Sequence, residues 1–377
     1  MRRVILLQIG IGTVGGAVLE QTIANRDRWR RVFATEFVIG ALGGRDGVLA
    51  AEDASGLTDD AIRAVVDDRR SGTGLLAAAS EHALVPAGEA IARFAAEGPT
   101  ILLDAAAGHE TAALGGRALA SDAGLVLSNK APLAMPFGNP ISVELWSEAT
   151  ATGRLRYEAT CGAGLPVIST LRTLLDTGDE VVEIQGTLSG TLGAIFSDIA
   201  AGRSFSAAVR AAKERGYTEP DPRDDLSGLD VARKALILAR TIGRRIDLDE
   251  IEIESLVPDH LRDVGVQEFL DRASDLDAMV APRVQAAERR GATLKYVATV
   301  PADGPIRVGL TEVATGGVLG AIQGPENVIV IRSRRYDDYP LTIVGPGAGP
   351  AVTAAGMLGD ALALAVGPLA GLGRSVA

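Results

Sequence analysis

The first third of the chain alternates short apolar runs with longer helix-like segments. An apolar run from Arg3 to Ile9 is followed by glycines and then by a helix-like segment from Gly16 to about Ala24. Three further runs, at 36–42, 100–104 and 124–128, are separated by helix-like stretches. This alternation of strand and helix predicts a parallel sheet covered on both faces.

The pattern changes near residue 150, where we expect a second domain to begin. The predicted strands are 154–160, 181–188, 294–300, 307–313, 328–332 and 341–344, and the predicted helices are 166–175, 191–201, 206–215, 229–242 and 350–366. Gly216 is a plausible cap for the third of these helices, and the turn Pro301–Gly304 is expected to join two late strands as a hairpin. These elements predict a mixed α+β domain.

Length, charge and cysteine content narrow the function classes. With 377 residues the chain is long enough for two domains. Its 37 basic and 48 acidic residues give a net charge of −11, which argues against nucleic acid and anionic membranes as partners. No stretch approaches the roughly 18 apolar residues of a membrane helix. The one cysteine, Cys161, allows no intrachain disulfide and fits a reducing compartment, so we expect a cytoplasmic protein.

A glycine-rich turn, Gly10-Ile11-Gly12-Thr13-Val14-Gly15, lies between the first strand and the first helix. It matches the dinucleotide fingerprint, in which one glycine permits a tight turn, the next admits a pyrophosphate and the third lets helix and strand pack closely. The helix N-terminus favours the phosphate charge. A purely structural glycine turn is the alternative, but the strand–turn–helix context favours a dinucleotide cofactor.

The end of the second strand bears on which dinucleotide is bound. NAD-binding proteins usually have an Asp or Glu there for the ribose hydroxyls, whereas this chain has Leu42-Gly43-Gly44-Arg45. Because an arginine suits a 2′-phosphate, we expect NADP. In the alternative, NAD is bound, Arg45 is a solvated turn residue and Asp46 binds the ribose.

The stretch from Gly216 to Lys234 carries the densest group of ionisable residues. The three histidines are scattered without ligand-like spacing, so no zinc site is expected and acid–base chemistry must come from Lys, Asp, Glu or Tyr. Four acids lie within seven residues of a loop that two prolines stiffen: Glu219, Asp221, Asp224 and Asp225. Asp230 and Lys234 follow at i and i+4 on a strongly apolar helix, so they share one face. Burial and a charged partner tune the pKa of a lysine, which makes such pairs functional candidates; an ordinary salt bridge is the alternative.

A second lysine, Lys130, directly follows the predicted strand 124–128 in Ser128-Asn129-Lys130-Ala131-Pro132. Ligands bind at the carboxyl ends of parallel strands. Lys130 can therefore face both cofactor and substrate, and a surface-turn lysine is the alternative.

The stretch Gly216–Lys234 resembles the signature of the homoserine dehydrogenase family, and the resemblance extends over nearly the whole chain. Further matching segments are Tyr157–Thr160, Gly162–Pro166, Gly186, Ser189–Thr191, Gly345–Gly349 and Thr353–Ala354. The resemblance implies an NAD(P)-dependent oxidoreductase that interconverts L-aspartate 4-semialdehyde and L-homoserine for threonine and methionine synthesis. The alternatives are a related dehydrogenase of another small amino or hydroxy acid and a catalytically inactive cofactor-binding paralogue.

The resemblance also implies roles for single residues. Lys234 would donate a proton to the nascent alkoxide, and Lys130 would lie beside the nicotinamide. Glu219 and Asp230 would hold the amino group of the substrate, with Asp225 supporting the acidic cluster. Whether Asp230 mainly orients Lys234 or binds substrate stays open.

For the cofactor, the resemblance implies contacts with Gly216 and Gly349. It also implies a monovalent cation such as sodium, held mostly by backbone carbonyls of Glu158, Cys161, Ala163 and Leu165. The chain departs from the family at Ala106, where relatives often have Thr or Ser near the cofactor, so a side-chain hydrogen bond to the cofactor would be missing. It departs again at Ser189, where many relatives have Asn.

The expected fold is α/β with two domains. Residues 1–150 with 340–377 would form a Rossmann-like cofactor domain, and residues 151–339 a mixed α+β domain for substrate binding and dimerisation. By resemblance the sheet of this second domain forms a homodimer interface. Only 28 residues (350–377) follow the Gly345–Gly349 segment. We therefore expect the short monofunctional type, without aspartokinase or a C-terminal regulatory domain and insensitive to threonine.

Overall fold

The computed structural model describes residues 1–44, 47–71 and 84–371, so Arg45, Asp46 and His82 lie outside the described residues. The chain folds as two compact units. The first comprises Met1–Gly164 and the segment from Gly349 onward, and the second comprises Leu165–Ala348. No helix within the described ranges is long and apolar enough to span a bilayer.

The elements are numbered in chain order. The strands are β1 (Arg2–Ile9), β2 (Thr35–Gly44), β3 (Gly47–Ala50), β4 (Leu84–Val85), β5 (Thr100–Asp104), β6 (Gly124–Leu127), β7 (Leu155–Arg156), β8 (Val181–Thr187), β9 (Glu252–Ile253), β10 (Ala292–Pro301), β11 (Arg307–Ala314), β12 (Glu326–Ser333) and β13 (Leu341–Pro346). The helices are α1 (Thr13–Phe33), α2 (Asp59–Arg70), α3 (Ala87–Glu97), α4 (Ala112–Ala120), α5 (Pro140–Ala151), α6 (Val167–Asp176), α7 (Gly190–Ala200), α8 (Phe205–Glu214), α9 (Pro222–Leu226), α10 (Leu229–Thr241), α11 (Val266–Asp271), α12 (Asp277–Glu288), α13 (Val318–Ala321) and α14 (Pro350–Val366). Short 3₁₀ turns occur at Pro132–Ala134, Glu158–Thr160, Leu248–Glu250, Asp259–Leu261, Ala273–Leu276 and Pro368–Gly371.

The described strands of the first unit form one sheet in the order β4-β3-β2-β1-β5-β6-β7. β2, β1, β5, β6 and β7 run parallel, while β3 and β4 make an antiparallel edge. Because β2 and β5 lie on opposite sides of β1, right-handed connections place α1 and α3 on opposite faces. The central strands are accordingly buried, and the predicted parallel sheet is confirmed.

The described strands of the second unit form a mixed sheet in the order β13-β12-β8-β10-β11-β9. Neighbours are antiparallel except for β11 and β9. Helices α7, α10 and α12 pack against β10. The hairpin of β10 and β11 and the mixed character of the unit are confirmed.

The chain passes between the units at 164/165 and 348/349, whereas the sequence suggested about 150 and 340. β7 accounts for the first difference, because Leu155–Arg156 pairs with β6 in the first sheet. The strand predicted over 154–160 is wrong beyond Arg156, since residues 158–160 form a 3₁₀ turn. β13 accounts for the second difference, because it pairs with β12.

A glycine cap directs the chain from α8 into the acidic loop. Gly216 has a φ of +71°. Its N–H donates to the Lys213 carbonyl at 3.0 Å, and the Tyr217 N–H donates to the Ala212 carbonyl at 2.9 Å. These two bonds make a Schellman motif, which confirms the predicted cap.

The C-terminal end of α10 is fixed by Arg240, whose side chain is 1% exposed. Its guanidinium donates to the Ile246 carbonyl at 3.1 and 3.0 Å and to Asp247 Oδ1 at 2.7 Å. A cation in the last turn also suits the helix dipole. Arg240 therefore holds the helix that carries Asp230 and Lys234.

We predict that Arg240→Met lowers the free energy of unfolding by about 2–3 kcal/mol, because the buried hydrogen bonds are lost and their acceptors remain. Urea denaturation measures this. Arg272→Met, which removes exposed ion pairs with Glu268 and Asp275, is the control and should cost less than about 1 kcal/mol. Equal losses in the two variants would contradict the anchoring role of Arg240.

Candidate active site

The turn after β1 has the geometry that a pyrophosphate requires. Gly10 has a φ of +92°, and a Cβ on it would lie 2.5 Å from the backbone of Ala105. A Cβ on Gly15 would overlap the Gly10 carbonyl oxygen. At Gly12, by contrast, a Cβ would meet no described residue beyond its chain neighbours within 4 Å. Gly12 caps the 21-residue α1 without a side-chain hydrogen bond, so N–H groups of the first turn, including those of Thr13 and Val14, can bind an anion.

Gln8 braces this turn and was not among the predicted site residues. Its buried Nε2 donates to the carbonyls of Gly10 at 3.0 Å and Gly15 at 2.9 Å, which ties the two ends of the turn together. A single polar residue in the otherwise apolar run Val4–Ile9 was the available signal.

The loops after β5 and β6 lie at the same edge of the sheet as the glycine turn. The Ala105 N–H donates to the Ile9 carbonyl at 2.8 Å, which brings Ala106 close to Gly10. Half-buried Lys130 stands just beyond β6. The first unit thus gathers Ile11, Ala106 and Lys130 at the carboxyl ends of neighbouring parallel strands, where such sheets bind ligands.

In the second unit, Lys234 on α10 is the centre of a polar cluster. Its side chain is 11% exposed. Its Nζ donates to the Leu188 carbonyl at 2.6 Å and lies 2.8 Å from Asp230 Oδ2. Leu188 directly follows β8, so the sheet end and the helix hold the ammonium together. The i,i+4 pair is present, and its lysine is buried while Asp230 is 45% exposed.

The acidic loop is held to the start of α7 by a hydroxyl. Thr191, which was not predicted as a site residue, donates to the Tyr217 carbonyl at 2.5 Å. Asp225 Oδ2 accepts the Glu219 N–H at 2.8 Å. Burial raises the pKa of the Asp225 carboxyl, and the charges of Glu219 and Asp230 act in the same direction, against the hydrogen bond from the Glu219 N–H. The cluster gains two further carboxylates, because the exposed Glu219 lies beside Asp225 and Asp230 lies beside Lys234.

Asp221 belongs to the same loop but has a different task. Its carboxylate caps α9 by accepting the Arg223 N–H at 3.0 Å, and it pairs with the Arg223 guanidinium at 2.6 Å. That hydrogen bond holds the pKa of Asp221 below its usual range. Arg223 also donates to the carbonyls of Leu261, Arg262 and Val264. Asp221 therefore organises the loop, while Asp225 and Glu219 form the cluster.

The remaining predicted residues fall in both units. Gly216 ends α8 in the second unit, and Gly349, with a φ of +123°, precedes α14 in the first. Of the four residues proposed for the cation, Glu158, Cys161 and Ala163 are buried in the first unit, whereas Leu165 begins the second.

A family model described as homoserine dehydrogenase matches residues 166–362, more than half of the chain. The chain belongs to the homoserine dehydrogenase family. It is 47% identical over 211 residues to bifunctional aspartokinase/homoserine dehydrogenase 2, chloroplastic, of Arabidopsis thaliana, a match that covers 55% of this chain and 23% of that protein. It is 43% identical over 237 residues to a homoserine dehydrogenase of Emericella nidulans, covering 58% of this chain and 64% of that protein. The chain thus covers less than two thirds of the length of these relatives.

A solved structure, a hyperthermophilic archaeal homoserine dehydrogenase in complex with NADPH, is similar to this chain with a TM-score of 0.70. The two are 23% identical over 96% of this chain and 97% of that one. At this identity the likeness shows the fold. The predicted class, a Rossmann-like α/β unit with a second mixed α+β unit, is confirmed.

For this member of the homoserine dehydrogenase family we predict that Asp225→Asn is more stable than the parent chain at pH 7. Folding raises the pKa of the Asp225 carboxyl above 3.8. At a pH above the raised pKa, the folded chain must keep this carboxyl ionised, which lowers the free energy of unfolding. The loss disappears at a pH low enough to protonate Asp225 in both the folded and the unfolded chain. The stability difference should shrink as the pH falls to about 4.

Urea denaturation between pH 4 and pH 8 measures this difference. Asp224→Asn, at the exposed neighbouring position, is the control and should show no comparable pH dependence. An Asp225→Asn protein that is less stable at pH 7 would contradict the prediction.

Proposed function

We propose that the chain is a homoserine dehydrogenase, which interconverts L-aspartate 4-semialdehyde and L-homoserine with NADP. The observation that carries the proposal is the buried Lys234 ammonium between the Leu188 carbonyl and Asp230. It stands in a chain of this family whose other unit has the fold and the glycine turn for a dinucleotide. The product would feed threonine and methionine synthesis.

The bound nicotinamide cofactor would supply or accept the hydride at the substrate carbon. As hydride adds to the aldehyde carbon, negative charge grows on the carbonyl oxygen, and Lys234 Nζ gives it a proton to form the hydroxyl. In the reverse direction Lys234 takes that proton back. Asp230 Oδ2, which lies 2.8 Å from Nζ, would orient the ammonium for this transfer.

The amino group of the substrate is a cation, and carboxylates are the side chains that pair with it. Glu219 is exposed and Asp230 is partly exposed, so both carboxylates are open to a ligand. Asp225 holds the Glu219 backbone and thereby sets its side chain. We assign substrate binding to Glu219 and Asp230, with Asp225 as their support.

The cofactor would be held by the turn Gly10–Gly15, with Gly12 admitting the pyrophosphate. Ala106, Lys130, Gly216 and Gly349 are assigned further contacts. Arg45 would receive the 2′-phosphate, which makes NADP the preferred cofactor over NAD. The structural relative that carries NADPH supports this preference.

A monovalent cation is proposed for the carbonyls of Glu158, Cys161, Ala163 and Leu165. Ala163 has a φ of +56°, a left-handed conformation that is uncommon for alanine. Cys161 is buried and its thiol accepts from the Thr160 hydroxyl at 3.8 Å. Cys161 would therefore contribute its backbone. The cation would stabilise this segment and take no part in the reaction.

The second sheet supports a homodimer. Its residues Ile184, Val300 and Ile331 are paired in register on one face and are buried. On the other face Gln185, Thr299 and Val330 are likewise in register and remain partly exposed. That open row is the surface we assign to a second copy of the chain.

We also propose a cytoplasmic location. The single cysteine and the acidic net charge support it.

The test of function is absorbance at 340 nm with purified protein, L-homoserine and either NAD⁺ or NADP⁺. We expect homoserine-dependent reduction that is faster with NADP⁺. A protein that binds NADPH but reduces neither cofactor in the presence of homoserine would overturn the proposed reaction.

Lys234→Met should lower kcat by at least about 10²-fold and leave NADPH affinity within about twofold, because the proton donor is lost and the first unit is unchanged. Lys295→Met is the matched control. Lys295 is also buried and donates to a carbonyl, that of Ile322, at the same 2.6 Å. It should leave kcat within about twofold. Equal losses of kcat in the two variants would remove Lys234 from the mechanism.

Sedimentation equilibrium tests the dimer. The parent chain should have the mass of two chains, and Val330→Glu should shift it towards one, because a charge on the open face would be buried without a partner. Val32→Glu, at an exposed valine of α1, should keep the dimer. A monomeric parent chain would contradict the proposal.

A further inference from the structure

A buried carboxylate, Asp104, ends β5 and plays no part in the mechanism above. It is 2% exposed. Its oxygens accept hydrogen bonds from the Thr111 hydroxyl at 2.6 Å, the Ala106 N–H at 3.0 Å and the Asn129 amide at 3.2 Å. Burial raises the pKa of this carboxyl against those three bonds. Burying a carboxyl lowers the free energy of unfolding. We therefore expect Asp104 to have a role other than packing.

Asn129 transmits the position of Asp104 to the next loop. Its amide also donates to the Gly108 carbonyl at 2.7 Å, and its Oδ1 accepts the Ala131 N–H at 3.1 Å. The side chain of Asn129 thus spans the backbone of Lys130, which stands between it and Ala131. The Lys130 carbonyl in turn accepts the N–H of Leu133 at 3.1 Å. The turn that carries Lys130 is therefore bonded on both sides.

The backbone at Asp104 joins the same network. Its carbonyl accepts the Ser128 N–H at 3.0 Å, and its carboxylate holds Ala106, which lies against Gly10. One carboxylate thus holds the loop beside the glycine turn and the loop of Lys130. Both loops were assigned to the cofactor.

We propose that Asp104 is a positioning residue that holds the Ala106 and Lys130 loops in the arrangement that binds the nicotinamide cofactor. This rests on the proposed function, because that proposal gives the two loops their ligand. Asp104 acts through Asn129 and Ala106, which donate hydrogen bonds to its carboxylate.

A purely structural role is the competing explanation, and the chain offers a matched carboxylate to test it. Asp179 is also buried. It accepts the Ser333 hydroxyl at 2.6 Å and the N–H groups of Glu180 at 2.8 Å and Arg335 at 3.3 Å. It lies in the second unit and holds no residue assigned to the cofactor or substrate.

The experiment compares Asp104→Asn with Asp179→Asn in the full chain. NADPH affinity is measured by fluorescence titration and stability by thermal unfolding. Both variants should lose stability, because Asp104 and Asp179 each accept hydrogen bonds from three donors and the amide nitrogen that replaces one carboxylate oxygen cannot accept any of them. Asp104→Asn should raise the NADPH dissociation constant at least about tenfold, while Asp179→Asn changes it less than about twofold. If both variants lose stability and neither loses affinity, Asp104 is structural and the proposal is overturned.

Thr111 gives a milder pair of variants should Asp104→Asn fail to fold. Thr111→Val removes one hydrogen bond to Asp104 and should weaken NADPH binding, and Thr111→Ser, which keeps the hydroxyl, should restore it. Unchanged affinity in Thr111→Val would count against the proposal.

NADPH binding needs no turnover, so the two proposals can fail separately. If the parent chain binds NADPH but does not oxidise homoserine, the proposed reaction is refuted and the proposed role of Asp104 is not. A parent chain that binds no NADPH overturns both.

Discussion

The ammonium of Lys234 is the group on which the second unit most depends. A buried ammonium is stable only when acceptors surround it, and here they are the Leu188 carbonyl and Asp230. The first comes from the end of a strand and the second from the first turn of α10. The end of β8 and the first turn of α10 must therefore lie at fixed positions relative to each other. The hydrogen bonds of Arg240 at the other end of α10 help to fix the helix. The same constraint places the ammonium beside Asp230, the first acidic residue of α10.

The first unit follows the same physical rule with other residues. Polar side chains that end or interrupt its parallel strands are buried, and each forms hydrogen bonds with groups of a neighbouring loop. Gln8 does this for the glycine turn, and Asp104 does it for the loops after β5 and β6. Since the backbone itself meets the phosphates in this kind of fold, fixing the loop backbone is how side chains outside the ligand's reach prepare its site.

Features with a local origin could be predicted from the sequence. Helix α14 begins and ends where its small-residue pattern does, and the i,i+4 pair of Asp230 and Lys234 follows from helical periodicity alone. Long-range contacts could not be predicted in this way. Nothing near Thr191 in the sequence indicates that its hydroxyl reaches Tyr217. Likewise, Asp221 and Asp225 look alike in one acidic loop, and only the arginine that pairs with Asp221 and the burial of Asp225 separate their roles.

The central claim is that hydride reaches the aldehyde carbon of aspartate semialdehyde while Lys234 supplies the proton. Isotope transfer tests it most directly. The protein would be supplied with aspartate 4-semialdehyde and NADPH deuterated at the transferable position of the nicotinamide, and the product analysed by mass spectrometry. The account predicts homoserine carrying one deuterium on the carbon that bears the hydroxyl, formed by the parent chain and nearly absent with Lys234→Met. Homoserine without deuterium, or equal labelled product from the Lys234→Met protein, would contradict it.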